Sequence, residues 1–433
     1  MNAPFIEKTD VFLPGHGTTL TQAPAYHWQP ADAVSGRVYF STRDPDALLI
    51  LLEGLDEEQR QRRPRLKIQL DRTGTQHHDF DGFGLHLPGI ALSARGTAIA
   101  LCQRRHRSMA DGGNPIDILM SRSEDGGKTW QSQEVIFSAA DTAAILGPVF
   151  AERTSGSVFV AFWKMPVDVL HDLEYFGEYA RQGGGFWLLE SRDEGRSWSP
   201  PSHIQPQPND AGWVGWPNNC VHGIQLVCGR RAGRLVIPAF LYKEGEPGQV
   251  PGVRGGLLYS DDQAHSWKVG AVLPAGSDEV SLVETANARD AAAGSIYVSY
   301  RKNWQHTGKR HFARRIDGGE SFHQHGQHEE VDCRNLHAGL ARCGRPGAGP
   351  EDLILFSNPL GGSPARGLRV RLSRDAGLTW PYARLLEQGP CRYSDLAVMP
   401  DGTILCLYTT GMKRDREKIS VARFNLAWLT GQL

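Results

Sequence analysis

Short apolar runs of strand length punctuate the chain: GTAIALC, DILMSRS, GSVFVAFW, FWLLESR, GRLVIPAF, GLLYSDD, GSIYVSY, DLILFS, LRVRLSR and GTILCLY. Most are bounded by glycine or an acidic residue, and apolar and polar positions alternate along them, the period of a half-buried strand. Helical patterning is scarce. HDLEYFGEYARQ (His171–Gln182) is the best short candidate and reads as an inserted loop near the rim of a β fold.

The strand-like runs are followed by a recurring punctuation. SRSEDGGKTW ends in Ser-x-Asp-x-Gly-x-Thr-Trp, and variants recur as SRDEGRSW, SDDQAHSW, RIDGGESF and SRDAGLTW. The aligned acids are Asp125, Asp193, Asp262, Asp317 and Asp375, spaced roughly 55–70 residues apart, so one supersecondary unit is being repeated. Asp-x-Gly after a strand is turn chemistry: the carboxylate accepts backbone N–H bonds two residues on, and glycine supplies a positive φ. One box and about four strands per repeat predict a blade, and radial repetition of blades protects sheet edges. Five boxes and a last unit without one (Tyr393–Phe424) predict an all-β, six-bladed propeller in one domain spanning 1–433. Residues 1–80 carry no box and are expected to be less regular. Part of them, VSGRVYFST, is expected to close the ring against the C-terminus.

Composition changes the picture only by exclusion. A formal net charge of −1 creates no field that would draw nucleic acid or an anionic membrane surface. Neither a leader-like apolar run nor about 18 consecutive apolar residues occurs, and the seven scattered cysteines do not form a disulfide pattern. A cytoplasmic protein is expected. The box acids are turn formers, so chemistry is sought elsewhere.

Box spacing together with PCRYSDLAVMPDGTILCLY resembles the sialidase (neuraminidase) superfamily, above all bacterial exo-α-sialidases. The likeness runs from about Gly82 to Leu429 and includes ADGGNPIDILMSRSEDGGKTW, VHGIQLVCGRRAGRLVIPAF, FSNPL and the closing ARFNLAWL. The resemblance implies a retaining exo-α-glycosidase acting on a sialic acid or related 2-keto-3-deoxy acid sugar, with a tyrosine nucleophile. A substrate carboxylate at the anomeric carbon would repel a carboxylate nucleophile. A neutral phenol can approach and then give its proton to a neighbouring acid. The resemblance implies Tyr393 as nucleophile, Glu279 as its base, and Asp111 as acid and then base. Arg301 and Arg366 fall at the second and third carboxylate-binding arginines, Arg310 or Arg369 standing in if the alignment slips. Arg105 lies where these enzymes often carry another arginine lining the site.

Two positions depart from that pattern. His86, in GLHLPGIAL, occupies the place of the first arginine, and Thr409 replaces the glutamate that pairs with it. Losing both partners avoids the roughly 3–5 kcal/mol cost of one stranded buried charge, so the pair reads as a remodelled subsite. His86 could meet a carboxylate as imidazolium, donate one bond as neutral imidazole, or serve the core alone. A less common ulosonic acid as substrate fits the change.

HQHGQHEEVDC, with His337 and Cys343 beyond it, offers metal-ligand chemistry but no compact zinc spacing. No metal and no cofactor is expected; the expected partner is an acidic sugar or glycoconjugate. Two other functions compete with hydrolysis: a propeller lectin that has lost turnover, and a lyase or hydrolase using His86 as base.

Overall fold

The computed structural model describes residues 3–13, 84–106, 115–167, 178–182, 184–219, 221–246, 252–285, 295–302, 308–315, 317–332, 336–344, 352–362, 365–412 and 414–431. Strand β1 (Ile6–Phe12) stands apart in sequence from the rest. Strands β2 (Gly84–Leu92), β3 (Ala98–Arg105), β4 (Ile116–Ser123) and β5 (Glu134–Phe137) form a first antiparallel unit, and β6 (Thr142–Ala151), β7 (Val158–Pro166), β8 (Phe186–Ser191) and β9 (Ser202–Ile204) a second. In the third, β10 (Val214–Pro217) and β11 (Ile224–Gln225) share the partner β12 (Leu235–Tyr242), followed by β13 (Val253–Ser260) and β14 (Lys268–Val272). The fourth comprises β15 (Ser277–Thr285), β16 (Ser295–Lys302), β17 (Lys309–Arg315) and β18 (Gln324–Asp332).

The fifth unit runs β19 (Gly339–Arg342), β20 (Ile354–Asn358), β22 (Ala365–Ser373) and the first half of β23 (Tyr382–Val398), with the short β21 (Gly361–Gly362) beside β22. β23 then changes partners. Up to Pro390 it pairs with β22, and from Cys391 it pairs with β24 (Ile404–Thr410). β25 (Lys418–Phe424) follows, and β1 completes the last unit, Ile6 opposite Phe424. The N-terminal strand that pairs with β25 is therefore Ile6–Phe12, whereas VSGRVYFST lies outside the described residues. Of the expected helix, residues 178–181 form one helical turn; the C-terminal α1 (Leu426–Thr430) is capped by Asn425. Among the described residues no helix is long and apolar enough to cross a membrane.

Every box follows the third strand of its unit. Asp193 accepts from Ser197 N–H at 2.8 Å, Ser197 Oγ at 2.6 Å and Ser191 Oγ at 2.9 Å, and these bonds, led by the Ser197 hydroxyl, hold its carboxyl down at about 2. Asp375 repeats the pattern with Thr379, Leu378 and Ser373. The closing aromatic packs between units: Trp380 lies against Phe356, its ring centre 5.4 Å away, in a cluster with Val283 and Tyr297 of the fourth unit. Gly127 of the first box has φ 80°, and a Cβ there would stand 2.7 Å from Leu405 Cδ2 of the last unit. Arg423 Nε donates to Gly126 O at 2.7 Å across the same seam. First and last units thus pack on one another, their apolar faces merging around Phe12, Leu85, Leu119, Leu405 and Val421.

Because strands alternate in direction, the start of each first strand, the end of the second and the start of the third share the end opposite the boxes. Box aromatics and box acids should therefore differ in what they contribute. Trp380→Ala, which empties a buried site between units, is expected to cost about 3–5 kcal/mol. Asp375→Ala strips bonds at a largely solvated turn and should cost about 1 kcal/mol. Urea unfolding of both variants checks the ranking; equal losses would mean that the acid, and not the ring, ties the units together.

Candidate active site

Three first strands lose their register at the same end of the molecule, and each irregularity falls on residues singled out in the sequence. In β2 the shift lies between His86 and Gly89, in β15 between Ser277 and Val280, and in β23 between Cys391 and Ser394. A bulge frees residues from the ladder and re-aims them, and such breaks concentrate near active sites. Leu87 takes φ 53°, a left-handed conformation that costs a non-glycine residue on the order of 1–2 kcal/mol. Tyr393 N–H, drawn out of the regular ladder, donates to Thr409 Oγ1 at 3.1 Å.

The bulges bring together side chains far apart in sequence. Tyr393 Oη donates to Glu279 Oε1 at 2.8 Å, and both residues are buried. Arg301, at the end of β16, donates to Tyr393 Oη at 3.2 Å and lies 3.1 Å from Glu279 Oε2. Its remaining side holds Asp278 at 2.8 and 3.0 Å. Burial would discharge this guanidinium, but Asp278 and Glu279 overcome that and keep it firmly protonated. The result is a phenol whose proton acceptor is in place and whose oxygen already faces a cation.

Two imidazoles flank the phenol ring. His86 lies 4.6 Å from its centre and His337 5.7 Å. Burial lowers the pKa of His86 well below the usual histidine value, and Arg105, Arg416, Arg392 and Arg301 add to that effect. His86 is thus neutral, which removes the imidazolium alternative. Its Nδ1 is buried without a hydrogen-bond partner, so it is not a core histidine with both nitrogens satisfied. His337 is likewise held neutral by burial and then by Arg310, and its Nδ1 stands 3.9 Å from Glu279 Oε2.

The other expected residues are placed as follows. Arg105, at the end of β3, is buried and donates to Gln103 Oε1 at 3.1 and 3.2 Å. Arg310 is fully buried and donates to Ser299 Oγ, Ser299 O and Leu336 O. Arg366 is exposed at the start of β22, its backbone opposite Pro390, and Arg369 is half-buried farther along the same strand. Asp111 lies outside the described residues, but the strands that flank it are pinned: Asp117 accepts from Arg104 at 2.6 Å and from His106 at 2.7 Å. The metal-like segment His323–Cys333 enters β18, where His328 meets Tyr297 Oη at 2.8 Å and stacks on Phe312.

Several residues of the site were not expected. Asp278 was read only as part of GSDEVSLVE, and His337 only as a possible metal ligand. Arg392 stands next to the nucleophile position, its guanidinium carbon 5.8 Å from the Tyr393 ring centre. Arg416 enters from the β24–β25 loop, where its carbonyl accepts from Leu85 N–H at 3.3 Å. Beneath the phenol, His222 Nδ1–H donates to buried Asp395 at 2.9 Å. Burial alone would discharge His222, but facing Asp395 raises its pKa overall.

These opposite environments make a pH test. For His86 and His337 the folded pKa lies below the unfolded value of about 6.5, so their contribution to stability is present above about 6.5 and is lost as the pH falls. For His222 the sign reverses: its contribution is full below about 6.5 and is lost as the pH rises through the raised folded value. Imidazole NMR titration should show His222 titrating above the usual histidine value of about 6.5 and His86 and His337 below it. A His86 titrating above that value, or a His222 titrating below it, would contradict the geometry.

Comparison with known proteins supplies an independent line. The model of the BNR repeat-like domain matches residues 100–406. A sialidase of Micromonospora viridifaciens is 27% identical over 375 residues, covering 81% of this chain and 53% of that protein. A sialidase of Bacteroides fragilis is 24% identical over 451 residues, covering 94% of this chain and 76% of its own. The chain thus spans about half the length of the Micromonospora relative. Among solved structures, the Hadza microbial sialidase Hz136 superposes with a TM-score of 0.62 at 22% identity, over 82% of this chain and 68% of that one. The intramolecular trans-sialidase from Ruminococcus gnavus gives 0.62 at 17%, over 81% of this chain and 96% of its own. The fold is shared.

Proposed function

Since the chain belongs to the BNR repeat-like domain family, we propose that it is a sialidase-like retaining exo-α-glycosidase, releasing a terminal 2-keto-3-deoxy sugar acid from glycoconjugates. The single observation that carries this reading is the buried contact of Tyr393 Oη with Glu279 at 2.8 Å under Arg301. A structural tyrosine needs one polar partner. This one has an acceptor for its proton and a cation for the charge that would follow. We further read the six units as blades set radially around one axis, supported by the packing of the first unit on the last.

The chemistry follows from that geometry. Tyr393 Oη attacks the anomeric carbon as Glu279 takes its proton, and Arg301, 3.2 Å away, stabilises the phenolate character that develops. Asp111 gives its proton to the departing glycosidic oxygen. In the second half Asp111 takes a proton from water, which attacks the glycosyl–tyrosine carbon. The phenolate leaves, recovers its proton from Glu279, and the sugar is released with its configuration retained. A histidine base fits less well: burial, and then four guanidinium groups, depress the basicity of His86.

The test is hydrolysis of fluorogenic α-glycosides of nine- and eight-carbon sugar acids. Tyr393→Phe and Glu279→Gln are each expected to reduce kcat at least about 10³-fold without loss of fold. A 2,3-difluoro sugar acid, which loses its anomeric fluoride as Tyr393 attacks, should add the mass of the 3-fluoroglycosyl group to the peptide carrying Tyr393, detected by mass spectrometry. Labelling elsewhere would sink the nucleophile assignment, and tight sugar-acid binding without turnover would make the protein a lectin.

A further inference from the structure

We propose that Arg416 and Arg392 form the acid-binding side of the pocket, supplying from the last unit the guanidinium that position 86 does not carry. The inference rests on the reading of this site as a sugar-acid pocket and adds to it residues that no sequence pattern indicated.

The β24–β25 loop is built to present Arg416 beside His86. Glu417 accepts from Met412 N–H at 2.8 Å and Arg414 N–H at 2.9 Å, which folds the loop on itself. The Arg416 carbonyl then docks on Leu85 N–H, the residue before His86. Buried Asp415 is anchored to Ala365 N–H at 3.2 Å and lies 3.5 Å from Arg416 Nε and 3.7 Å from Arg392 Nη1. One carboxylate therefore lies beside two guanidinium groups, one from β23 and one from the β24–β25 loop, at one corner of the Tyr393 ring, which Arg392 overhangs.

Charge and satisfaction both point to an anion there. Burial first, and then the surrounding cations, lower the pKa of His86, so it does not stand in as a cation for an arginine. Around it stand Arg105, Arg301, Arg392 and Arg416; Asp278 and Glu279 face Arg301, and Asp415 faces both Arg392 and Arg416. Among the described residues, His86 Nδ1 and Arg392 Nε are buried beside Tyr393 without a hydrogen-bond partner. Buried polar groups left unpaired in a folded protein ask for a ligand or water, and a planar carboxylate suits guanidinium forks. Neutral His86 then contributes a polar contact at Nδ1, and Thr409 has no ion pair to complete.

The test uses 2,3-didehydro-2-deoxy-N-acetylneuraminic acid and its deaminated nine-carbon and eight-carbon counterparts, each as acid and as methyl ester, titrated calorimetrically into the full chain. At least one acid is expected to bind at least about tenfold more tightly than its ester. Arg416→Gln and Arg392→Gln should each weaken the acid by about tenfold or more and leave the ester unchanged. Arg416→Lys should fall between, and Arg414→Gln, in the same loop, should match the native protein. His86→Asn should retain the acid preference. Melting temperatures confirm that each variant is folded. An acid preference that survives Arg416→Gln and Arg392→Gln overturns the proposal, as does the absence of any preference in the native chain. Binding that depends on Arg416, in a protein that hydrolyses none of the matching glycosides, would instead support the subsite and overturn the enzymatic reading.

Discussion

The arrangement depends on one buried charge. Asp395 has no exposed surface, and a carboxylate taken from water is tolerated only when its oxygens are answered. They are answered from three parts of the chain: Ile90 N–H of β2 at 2.9 Å, His222 at 2.9 Å, and its own strand through Leu396 N–H. That set binds the first, third and last units at the level just below Tyr393. If any donor shifted, a charge would be stranded, so the start of β2 and the start of the last unit cannot move independently. The phenol two residues before Asp395 inherits that fixed position, and the distance to Glu279 follows from it.

From this tie the electrostatics of the pocket become intelligible. A bulge at Tyr393 removes its N–H from the ladder, and Thr409 supplies the missing acceptor. An arginine at 86 with a glutamate at 409 would place an ion pair over the same spot. Here a neutral ring and a hydroxyl occupy it, and Thr409 serves the backbone. The positive charge is moved sideways to the β24–β25 loop, where Asp415 can hold it in partly solvated surroundings. Such a relocation costs less desolvation than a buried pair.

How much of this could be read from the chain alone differs by the range of the interaction. The boxes were legible because their bonds are local: Asp193 and Ser197, or Asp375 and Thr379, are four residues apart. Their strands were legible from alternation. Tyr393, Glu279 and Arg301 were legible only through resemblance, since nothing in RYSDL or GSDEVSLVE says that the two strands meet. Arg416 and His222 carried no signal at all. A basic residue in a polar loop and a histidine near a glycine become meaningful only when the fold places them against Leu85 and Asp395. VSGRVYFST, the expected outer strand, lies outside the described residues. The observed partner of β25, IEKTDVF, is an edge strand with exposed charges that its own pattern does not distinguish from a loop.

A division of labour follows from the antiparallel units. The boxes lie after the third strands, so their repeated hydrogen-bond pattern tightens one end of the first five units, with aromatic rings wedged into the seams. The opposite end is where β2, β15 and β23 give up their register and Leu87 accepts a left-handed backbone. A chain can hold such strain only where other contacts over-determine it. Here the regular ends and the Asp395 tie do so, leaving the irregular ends free to carry charge arrangements that a packed ladder would not allow. His86 and Thr409 therefore fit the architecture unchanged, and in the proposed pocket Arg416 comes from a neighbouring hairpin that opens onto the same end.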